Sequence, residues 1–170
     1  MVEPNAARLS ASPIEQAEFR SVLGHFASGV GIVTGISEGA PAGFACQSFF
    51  SLSLDPPLVA MAPSRTSTSW PGIQASGAFC VNVLNAEQEA LCRVFARPGA
   101  GTDKFEGIGW TPAPTGSPRL HEVLAWVDCR VEAVHDGGDH FLVIGAVAGM
   151  GSSAGEPLVF YRGGFGGFVA

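Results

Sequence analysis

Residues 126–148 carry the pattern that most restricts how this chain can fold. From 126 to 134, apolar and polar side chains alternate, which is the period of a strand with one buried face. Residues 135–139 (HDGGD) predict a turn, and residues 140–148 return as an antiparallel partner strand. A long β-hairpin is therefore the first element that the sequence predicts. One side of its first strand carries Val127, Cys129, Val131 and Ala133, and the other carries Asp128, Arg130 and Glu132.

Strands outnumber helices in the rest of the chain as well. Further strands are predicted at 30–36, 41–54 with a bend, 58–62, 78–84 and 157–161. Helices are predicted after a capping box at 12–15, with Phe19, Val22, Leu23 and Phe26 on one face, then after Thr68 or Ser69, and over 86–96. Because hairpins connect most strands, an antiparallel barrel or sandwich is favoured. We expect a flexible arm over 1–11 and one domain over 12–170.

Composition limits the classes of function. Glycine contributes 23 residues and proline 12 without a repeat, which indicates many turns and not disorder. The formal net charge of −6 has the wrong sign for nucleic acid or an anionic membrane, so neither partner is expected. Charged residues are only 14% of the chain, below the roughly 25% of typical soluble domains. This scarcity predicts that another subunit covers part of the surface.

The four cysteines, at 46, 80, 92 and 129, show no C-x-x-C and no pairing with histidine at zinc spacing. We therefore expect buried thiols in a reducing compartment and no metal site. The first residues lack a basic and an apolar segment of the signal-peptide kind, and no run of about 18 apolar residues occurs. These features predict a cytoplasmic protein.

Two segments are candidates for ligand binding. Residues 62–70 (APSRTSTSW) combine five hydroxyl groups with Arg65 just before a predicted helix, a set of groups that binds phosphate and that also occurs in polar capping turns. Residues 43–48 (GFACQS) place small side chains and the Gln47 amide in a strand. Such a strand suits a flat heteroaromatic ring laid against the backbone, or it is an ordinary half-polar strand.

Three short motifs remain. Residues 138–140 (GDH) put the His140 imidazole at the start of a strand, where a histidine is either structural or catalytic. Residues 151–155 (GSSAG) fit a nucleophile elbow, and residues 149–154 fit a dinucleotide fingerprint. Both of those motifs need a following helix, which Pro157 prevents, so we interpret both matches as chance.

Seven segments, in order along the chain, resemble the NAD(P)H:flavin reductases of two-component monooxygenases. They are 19–29 (FRSVLGHFASG), 43–49 (GFACQSF), 51–58 (SLSLDPPL), 76–84 (SGAFCVNVL), 103–105 (DKF), 138–140 (GDH) and 160–163 (FYRG). The resemblance extends over about residues 18–165 and is strongest to reductase components that serve seco-steroid phenol monooxygenases. It implies a mainly β fold with a few helices, the FMN-binding split β-barrel of Greek-key type, as a homodimer with FMN or FAD at the subunit interface.

The resemblance also implies roles for particular residues. His140 would be the catalytic residue near the nicotinamide, with a nicotinamide-nucleotide segment at Phe160, Tyr161, Arg162 and Gly163. Flavin contacts are implied at Pro41, Ala42, Gly43, Phe44, Ala45, Cys46, Gln47 and Ser48, at Ala62, Pro63, Ser64, Arg65, Thr68 and Ser69, and at Val94, Phe95 and Phe105. The tail at 163–170 is shorter and richer in glycine than in similar reductases.

The implied activity is hydride transfer from nicotinamide C4 to flavin N5, with reduced FMN or FAD diffusing to a flavin-dependent monooxygenase. NADH is favoured over NADPH because Arg162 is the only base in the nucleotide segment. Three alternatives stay open at this point: a flavin-dependent oxidase of the same barrel class, a flavin-binding protein without turnover, and a dimeric structural domain. The residues do not decide between FMN and FAD.

Overall fold

The structure, a computed structural model, describes residues 14–99 and 103–168. Strands dominate it, as the sequence predicts. The helices are α1 (Gln16–Leu23), α2 (Trp70–Ser76) and α3 (Glu89–Phe95), and a 3-10 turn covers Asp103–Phe105. The strands are β1 (Ser28–Gly29), β2 (Gly31–Ser37), β3 (Ala40–Cys46), β4 (Phe49–Leu54), β5 (Pro57–Met61), β6 (Ala78–Val83), β7 (Trp110–Pro112), β8 (Pro118–Leu120), β9 (Ala125–Gly137), β10 (His140–Ser152), β11 (Leu158–Tyr161) and β12 (Gly164–Gly167).

A seven-stranded antiparallel sheet forms the centre of the molecule, in the order β3-β2-β6-β9-β10-β5-β4. Its two edge strands, β3 and β4, follow each other in the chain with only Gln47 and Ser48 between them. Three peptide steps of about 3.8 Å separate the ends of these strands, so the edges must lie close together. The sheet is therefore curled. Smaller antiparallel sheets, β1-β11-β12 and β7-β8, flank it.

The predicted segment 41–54 is two strands and not one bent strand. β3 pairs with β2, whereas β4 pairs with β5 at the far edge of the sheet. The sequence did not reveal this break because both halves of the segment have the same composition of small and apolar residues. Near the C-terminus, the glycine-rich stretch forms β12, which the sequence did not predict, and α3 is shorter than the predicted helix over 86–96.

The predicted hairpin is present as β9 and β10, with a turn of only Gly138 and Asp139. One prediction for it was wrong: Asp128 does not face solvent but is fully buried. Thr115 satisfies this carboxylate, since its backbone N–H and its hydroxyl each donate to it over 2.7 Å. The loop between β7 and β8, 13 residues earlier in the chain, thus supplies the partner that makes the burial of Asp128 tolerable.

The predicted helix capping was also wrong in detail. Ser69 is the residue before α2, but its hydroxyl donates to the Gly43 carbonyl, 3.0 Å away. Ser67 takes the capping role instead, because its hydroxyl accepts from the Trp70 N–H at 3.1 Å. For α1, the start of the predicted capping box, at 12 and 13, lies outside the described residues, and the helix ends earlier than predicted.

The four cysteines are buried and unpaired, as predicted. Burial raises the pKa of each thiol, that of Cys129 to about 12, so all four stay protonated near neutral pH. No helix in the described ranges is long and apolar enough to cross a membrane.

Asn82 ties three segments together in the buried interior. Its amide donates to the Ile32 carbonyl at 3.1 Å and to the Thr34 hydroxyl at 3.0 Å, and its oxygen accepts from the Leu120 N–H at 2.8 Å. This side chain therefore links β6 to β2 and to β8, and water has no access to replace it.

We expect Asn82→Leu to lower the free energy of unfolding by about 3 kcal/mol, because buried polar groups that lose a partner cost roughly 1–3 kcal/mol each. Urea unfolding followed by circular dichroism measures this loss. Asn85→Leu is the matched control, since the Asn85 amide bonds to Glu122 at the exposed surface, where water can replace it. Equal losses in both variants would contradict the role of Asn82.

Candidate functional site

A cavity of about 700 Å³ opens where the two edges of the curled sheet meet. Its walls come from β3 and the residues after it, from the segment that follows β5, from the end of α3, and from the β11–β12 hairpin. The lining residues are Val30, Phe44, Ala45, Cys46, Gln47, Ser48, Ala62, Pro63, Ser64, Thr66, Ser67, Thr68, Ser69, Cys92, Phe95, Ala96, Arg97, Pro98, Gly99, Lys104, His140, Phe160 and Phe165.

Gln47 and Ser48, which we call the edge link, form one wall of this cavity. The Ser48 hydroxyl donates to the Ala62 carbonyl at 3.0 Å and accepts from the Ala62 N–H at 3.1 Å. The Cys46 thiol lies 3.4 Å from the same oxygen and donates to it. Ser48 thus ties the edge link to the end of β5, and Ala45 and Cys46 present small side chains to the cavity beside Phe44.

Residues 62–69, which we call the hydroxyl loop, form the polar wall. Thr68 Oγ1 donates to the Gly99 carbonyl at 2.8 Å, which joins the loop to the segment after α3. Ser64 and Thr66 bond to each other at 2.9 Å. The Ser67 hydroxyl accepts from Trp70, so its own proton remains available to a ligand. Four hydroxyl-bearing residues of the loop, besides Ser69, therefore border the cavity.

Arg65 lies in this loop but does not line the cavity. Its Nε donates to the Gly138 carbonyl at 2.8 Å, and its Nη2 pairs with Asp136. The guanidinium carbon also lies 4.3 Å from the centroid of the Phe141 ring. The structure thus places this predicted phosphate contact against the β9–β10 turn.

His140 begins β10 and lines the cavity beside Ser64, with which it forms a β-bridge. Its Nδ1 lies 2.7 Å from Asp139 Oδ1. An ionised carboxylate can only accept, so Nδ1 carries the proton and Nε2 is the nitrogen left for a ligand. This hydrogen bond lowers the pKa of the exposed Asp139 carboxyl below its ordinary value of 3.8. Asp139 is therefore ionised at neutral pH and orients the ring.

Two cations that the sequence analysis did not single out border the cavity. Lys104 is 6% exposed, and its Nζ donates to the Phe95 carbonyl at 3.3 Å. Burial lowers the pKa of Lys104, and the charge of Asp103 partly opposes this effect. Arg97 lies in the exposed segment after α3. The cavity therefore carries positive charge in addition to the hydroxyl groups of the loop.

Several predicted site residues lie behind or away from the cavity wall. A Cβ on Gly43 would come within 2.8 Å of the Phe95 ring, so Gly43 lets that ring pack directly on β3. Phe105 packs edge-on against the far side of Phe95, with ring centroids 5.1 Å apart. The predicted contacts that lie off the lining are Pro41, Ala42, Gly43, Arg65, Val94, Phe105, Tyr161, Arg162 and Gly163.

The nicotinamide-nucleotide segment is divided by the β11–β12 hairpin. Phe160 lines the cavity and packs against Phe165 with ring centroids 5.2 Å apart. Arg162 and Gly163 both have positive φ, at +49° and +84°, and form the turn. Tyr161 stacks edge-on near His25 at 6.4 Å, outside the cavity. Only the first residue of the predicted segment therefore reaches the site.

Some signals in the sequence could have identified the missed residues. Lys104 is the only lysine of the chain and belongs to a motif of the resemblance, so its charge was visible. Phe165 was hidden because a glycine-rich tail gives no strand pattern. The segment 96–99 showed no signal beyond its place at the end of a helix.

One cavity thus combines small side chains, a hydroxyl-rich loop, a buried cation and a histidine, a set of groups that suits a flat ligand with an anionic tail. The model of the "Flavin reductase like domain" family matches residues 23–168. The chain belongs to this family. It is accordingly a flavin reductase.

Individual relatives agree with this assignment. The reductase subunit HsaB of a flavin-dependent monooxygenase from Rhodococcus jostii is 51% identical over 156 residues, which are 91% of this chain and 79% of that protein. The FMN reductase (NADH) SmoA of Agrobacterium fabrum is 38% identical over 88% of this chain and 84% of its own length. The crystal structure of nitrilotriacetate monooxygenase component B from Mycobacterium thermoresistibile has a TM-score of 0.86 at 50% identity, over 91% of this chain and 87% of that one.

Proposed function

We propose that this flavin reductase uses NADH to reduce FMN or FAD in the cavity and releases the reduced flavin to the oxygenase component of a two-component monooxygenase. The observation that carries the proposal is that one cavity combines small side chains with hydroxyl groups and a buried cation, which suits the ring and the phosphate of a flavin. When bound, the flavin supplies the redox chemistry, because its N5 accepts the hydride of nicotinamide C4. Names of relatives support the donor and the partner, since they include an NADH-dependent FMN reductase and a monooxygenase reductase subunit.

The ring of the flavin fits the wall formed by Phe44, Ala45, Cys46 and the edge link. Small side chains allow a planar ring to approach the backbone, and Gln47 offers an amide that both donates and accepts. The cavity volume of about 700 Å³ lies within the range of roughly 300–1,000 Å³ that is typical of cofactor sites. Ser48 and Ser69 hold this wall through their bonds to Ala62 and Gly43 and so keep the ring site in shape.

The phosphate end of the flavin fits between the hydroxyl loop and Lys104. The buried ammonium group donates to a carbonyl, and the charge of Asp103 compensates its positive charge only in part, so it lacks a full negative counter-charge. A phosphate would supply that charge, and the hydroxyl groups of Ser64, Thr66, Ser67 and Thr68 would complete its hydrogen bonds. Lys104, and not Arg65, is then the cation that anchors the cofactor.

We expect Lys104→Met to weaken FMN binding by about 10- to 100-fold, because a hydrogen bond to a charged group contributes roughly 1.5–3 kcal/mol. Riboflavin, which lacks the phosphate, should bind both proteins equally. In the wild type, FMN affinity should fall as the pH rises through the lowered pKa of Lys104, thus below the ordinary value of 10.5. The pH dependence is absent in the variant.

Fluorescence titration of the flavin measures these affinities between pH 7.5 and 10. Arg97→Met is the control, since an exposed cation is screened by salt and should change FMN binding less. An equal loss for riboflavin and FMN in Lys104→Met would show that the lysine shapes the cavity and does not bind phosphate.

His140 is placed to position the nicotinamide against the flavin. Asp139 holds the ring in the tautomer that leaves Nε2 for the donor, and Phe160 offers an aromatic face nearby. Hydride transfer needs no proton donor, so we assign His140 to binding and orientation. The name of one relative, FMN reductase (NADH), supports NADH as the donor.

We expect His140→Ala to raise the KM for NADH far more than it lowers kcat, because the residue binds the donor and does not react. Anaerobic stopped-flow absorbance in the flavin band, with FMN or FAD and with NADH or NADPH, measures both constants and names the preferred pair. Wild-type protein that binds flavin without bleaching would contradict the reductase function. An unchanged KM with kcat reduced about 100-fold, which equals roughly 2.7 kcal/mol, would contradict this role of His140.

A homodimer with the split-barrel architecture completes the proposal. α1 has no buried residue, although Phe19, Val22 and Leu23 give it an apolar face, and the exposed Phe26 follows three residues after its end. A helix of eight residues is marginal in water unless its apolar side packs on something. A second copy that covers this face would also account for the low charge of the chain.

We expect the protein to sediment at twice its mass of 17.5 kDa and Val22→Glu/Phe26→Glu to sediment as a monomer. Leu54→Glu, at an exposed apolar residue of β4, is the control and should leave the dimer intact. Sedimentation velocity at several concentrations makes the measurement. A monomeric wild type would refute the dimer. If the Val22→Glu/Phe26→Glu variant stays dimeric, the interface lies at another surface.

A further inference from the structure

Arg65 is the only residue between Ala62 and Ser69 that does not line the cavity. Its neighbours on both sides face the cavity, while its own side chain crosses to the opposite side of the hydroxyl loop. There it meets the turn that joins β9 to β10. This position is unexpected for a cation in the loop that is proposed to bind the flavin phosphate. The position therefore indicates a different role for Arg65.

Contacts between Arg65 and this turn surround His140. The Arg65 N–H donates to the Asp139 carbonyl at 3.0 Å, and Nε donates to the Gly138 carbonyl at 2.8 Å. Nη2 pairs with Asp136, and the guanidinium plane lies over the Phe141 ring. The Phe141 N–H in turn donates to the Pro63 carbonyl at 3.0 Å. The residues before and after His140 are thus attached to the hydroxyl loop.

We propose that Arg65 is a positioning residue that clamps the β9–β10 turn onto the hydroxyl loop and so fixes the ring of His140 at the cavity. An exposed ion pair alone contributes little, and the side chains of Arg65 and Asp136 are 40% and 86% exposed. Here one side chain makes a charged pair with Asp136, a hydrogen bond to Gly138 and a contact with the Phe141 ring, all at the end of the β9–β10 hairpin. A guanidinium can make these contacts together because its donors form a rigid fork, whereas a lysine is a single point donor.

The clamp also gives the two cations near the hydroxyl loop different roles: Arg65 holds the β9–β10 turn, and Lys104 is left to bind the phosphate. The Arg65 donors that the structure shows in use point to a carbonyl and a carboxylate of the turn, so a phosphate in the cavity would have to draw them away. The clamp then connects the loop proposed for the flavin phosphate with the residue proposed for the nicotinamide. The kinetic consequence rests on the proposed role of His140, but the clamp itself does not.

The first test follows the His140 ring directly. We expect Arg65→Met and Asp136→Asn each to shift or broaden the ring signals of His140 in ¹H–¹⁵N NMR spectra, with His140→Ala used to assign them. Arg119→Met is the matched control, since Arg119 also combines a side-chain hydrogen bond, to Thr111, with a ring contact, to Trp126, away from the turn. Unchanged His140 signals in both turn variants would overturn the clamp.

The second test measures kinetics and flavin affinity in the same variants. Arg65→Met and Asp136→Asn should each raise the KM for NADH about three- to tenfold, with kcat and the Kd for FMN within about twofold of the wild type. The double variant should be no worse than Arg65→Met, because Asp136 acts through Arg65. Arg65→Lys should restore the function only in part.

Failure of the clamp and failure of the His140 role give different results. If Arg65→Met weakens FMN binding tenfold while Asp136→Asn changes nothing, Arg65 is a phosphate ligand and the clamp is wrong. If the ring signals change but the KM for NADH does not, the clamp stands and the role of His140 in donor binding is wrong. In a His140→Ala background, Arg65→Met should have no further effect on KM, and a full additional effect would overturn the clamp.

Discussion

Only two residues join the opposite edges of the seven-stranded sheet. A flat sheet of this size would be roughly 29 Å wide, because neighbouring strands lie about 4.8 Å apart, and Gln47 and Ser48 cannot span that distance. The sheet must curl until β3 and β4 meet. Ser48 holds the edge link to the end of β5 through its two bonds to Ala62, and Ser69 of the hydroxyl loop bonds to Gly43 of β3. The cavity lies at this seam. The hydroxyl loop starts there because it follows β5, and His140 reaches it because β10 pairs with β5 and begins beside Ser64.

The same closure explains why neighbouring residues do different work. On the cavity side, the hydroxyl loop presents short polar side chains, which bond to one another and to Gly43 and Gly99. On the outer side, Arg65 holds the turn between β9 and β10. The buried charge inside comes from Lys104, which arrives from a segment after α3. One guanidinium cannot lie inside the cavity and also bond to the β9–β10 turn. Two residues therefore divide these roles: Lys104 provides the buried charge, and Arg65 holds the turn.

The extent to which the sequence predicted this arrangement follows from the range of each interaction. Alternation is a local property, so it predicted the β9–β10 hairpin, and hairpin connections predicted the antiparallel sheet. The burial of Asp128 was missed because its partner, Thr115, lies in a separate loop and has no periodic signal. The break at the edge link was missed for the same reason: it is visible only in which strands β3 and β4 pair with. For the candidate site, ordered motifs led to the cavity wall at 44–48 and 62–69. They could not show that the fold would use 161–163 as a turn or give Arg65 a partner 71 residues away.

A reductase that delivers reduced flavin to another protein must bind flavin with moderate affinity and release it after reduction. The buried lysine provides a physical basis for such moderate affinity. Without an anion, Lys104 sits in a poorly solvated place, which is why its pKa is lowered. Part of the attraction between the ammonium group and a bound phosphate is therefore used to offset desolvation, and only the remainder appears as affinity. In the proposed site, the other groups that face the phosphate are neutral hydroxyl groups, whose net contributions are modest, about 0.5–1.5 kcal/mol each. An open cavity, in which desolvation offsets part of the attraction of Lys104 to the phosphate, thus favours a flavin that enters, is reduced and leaves.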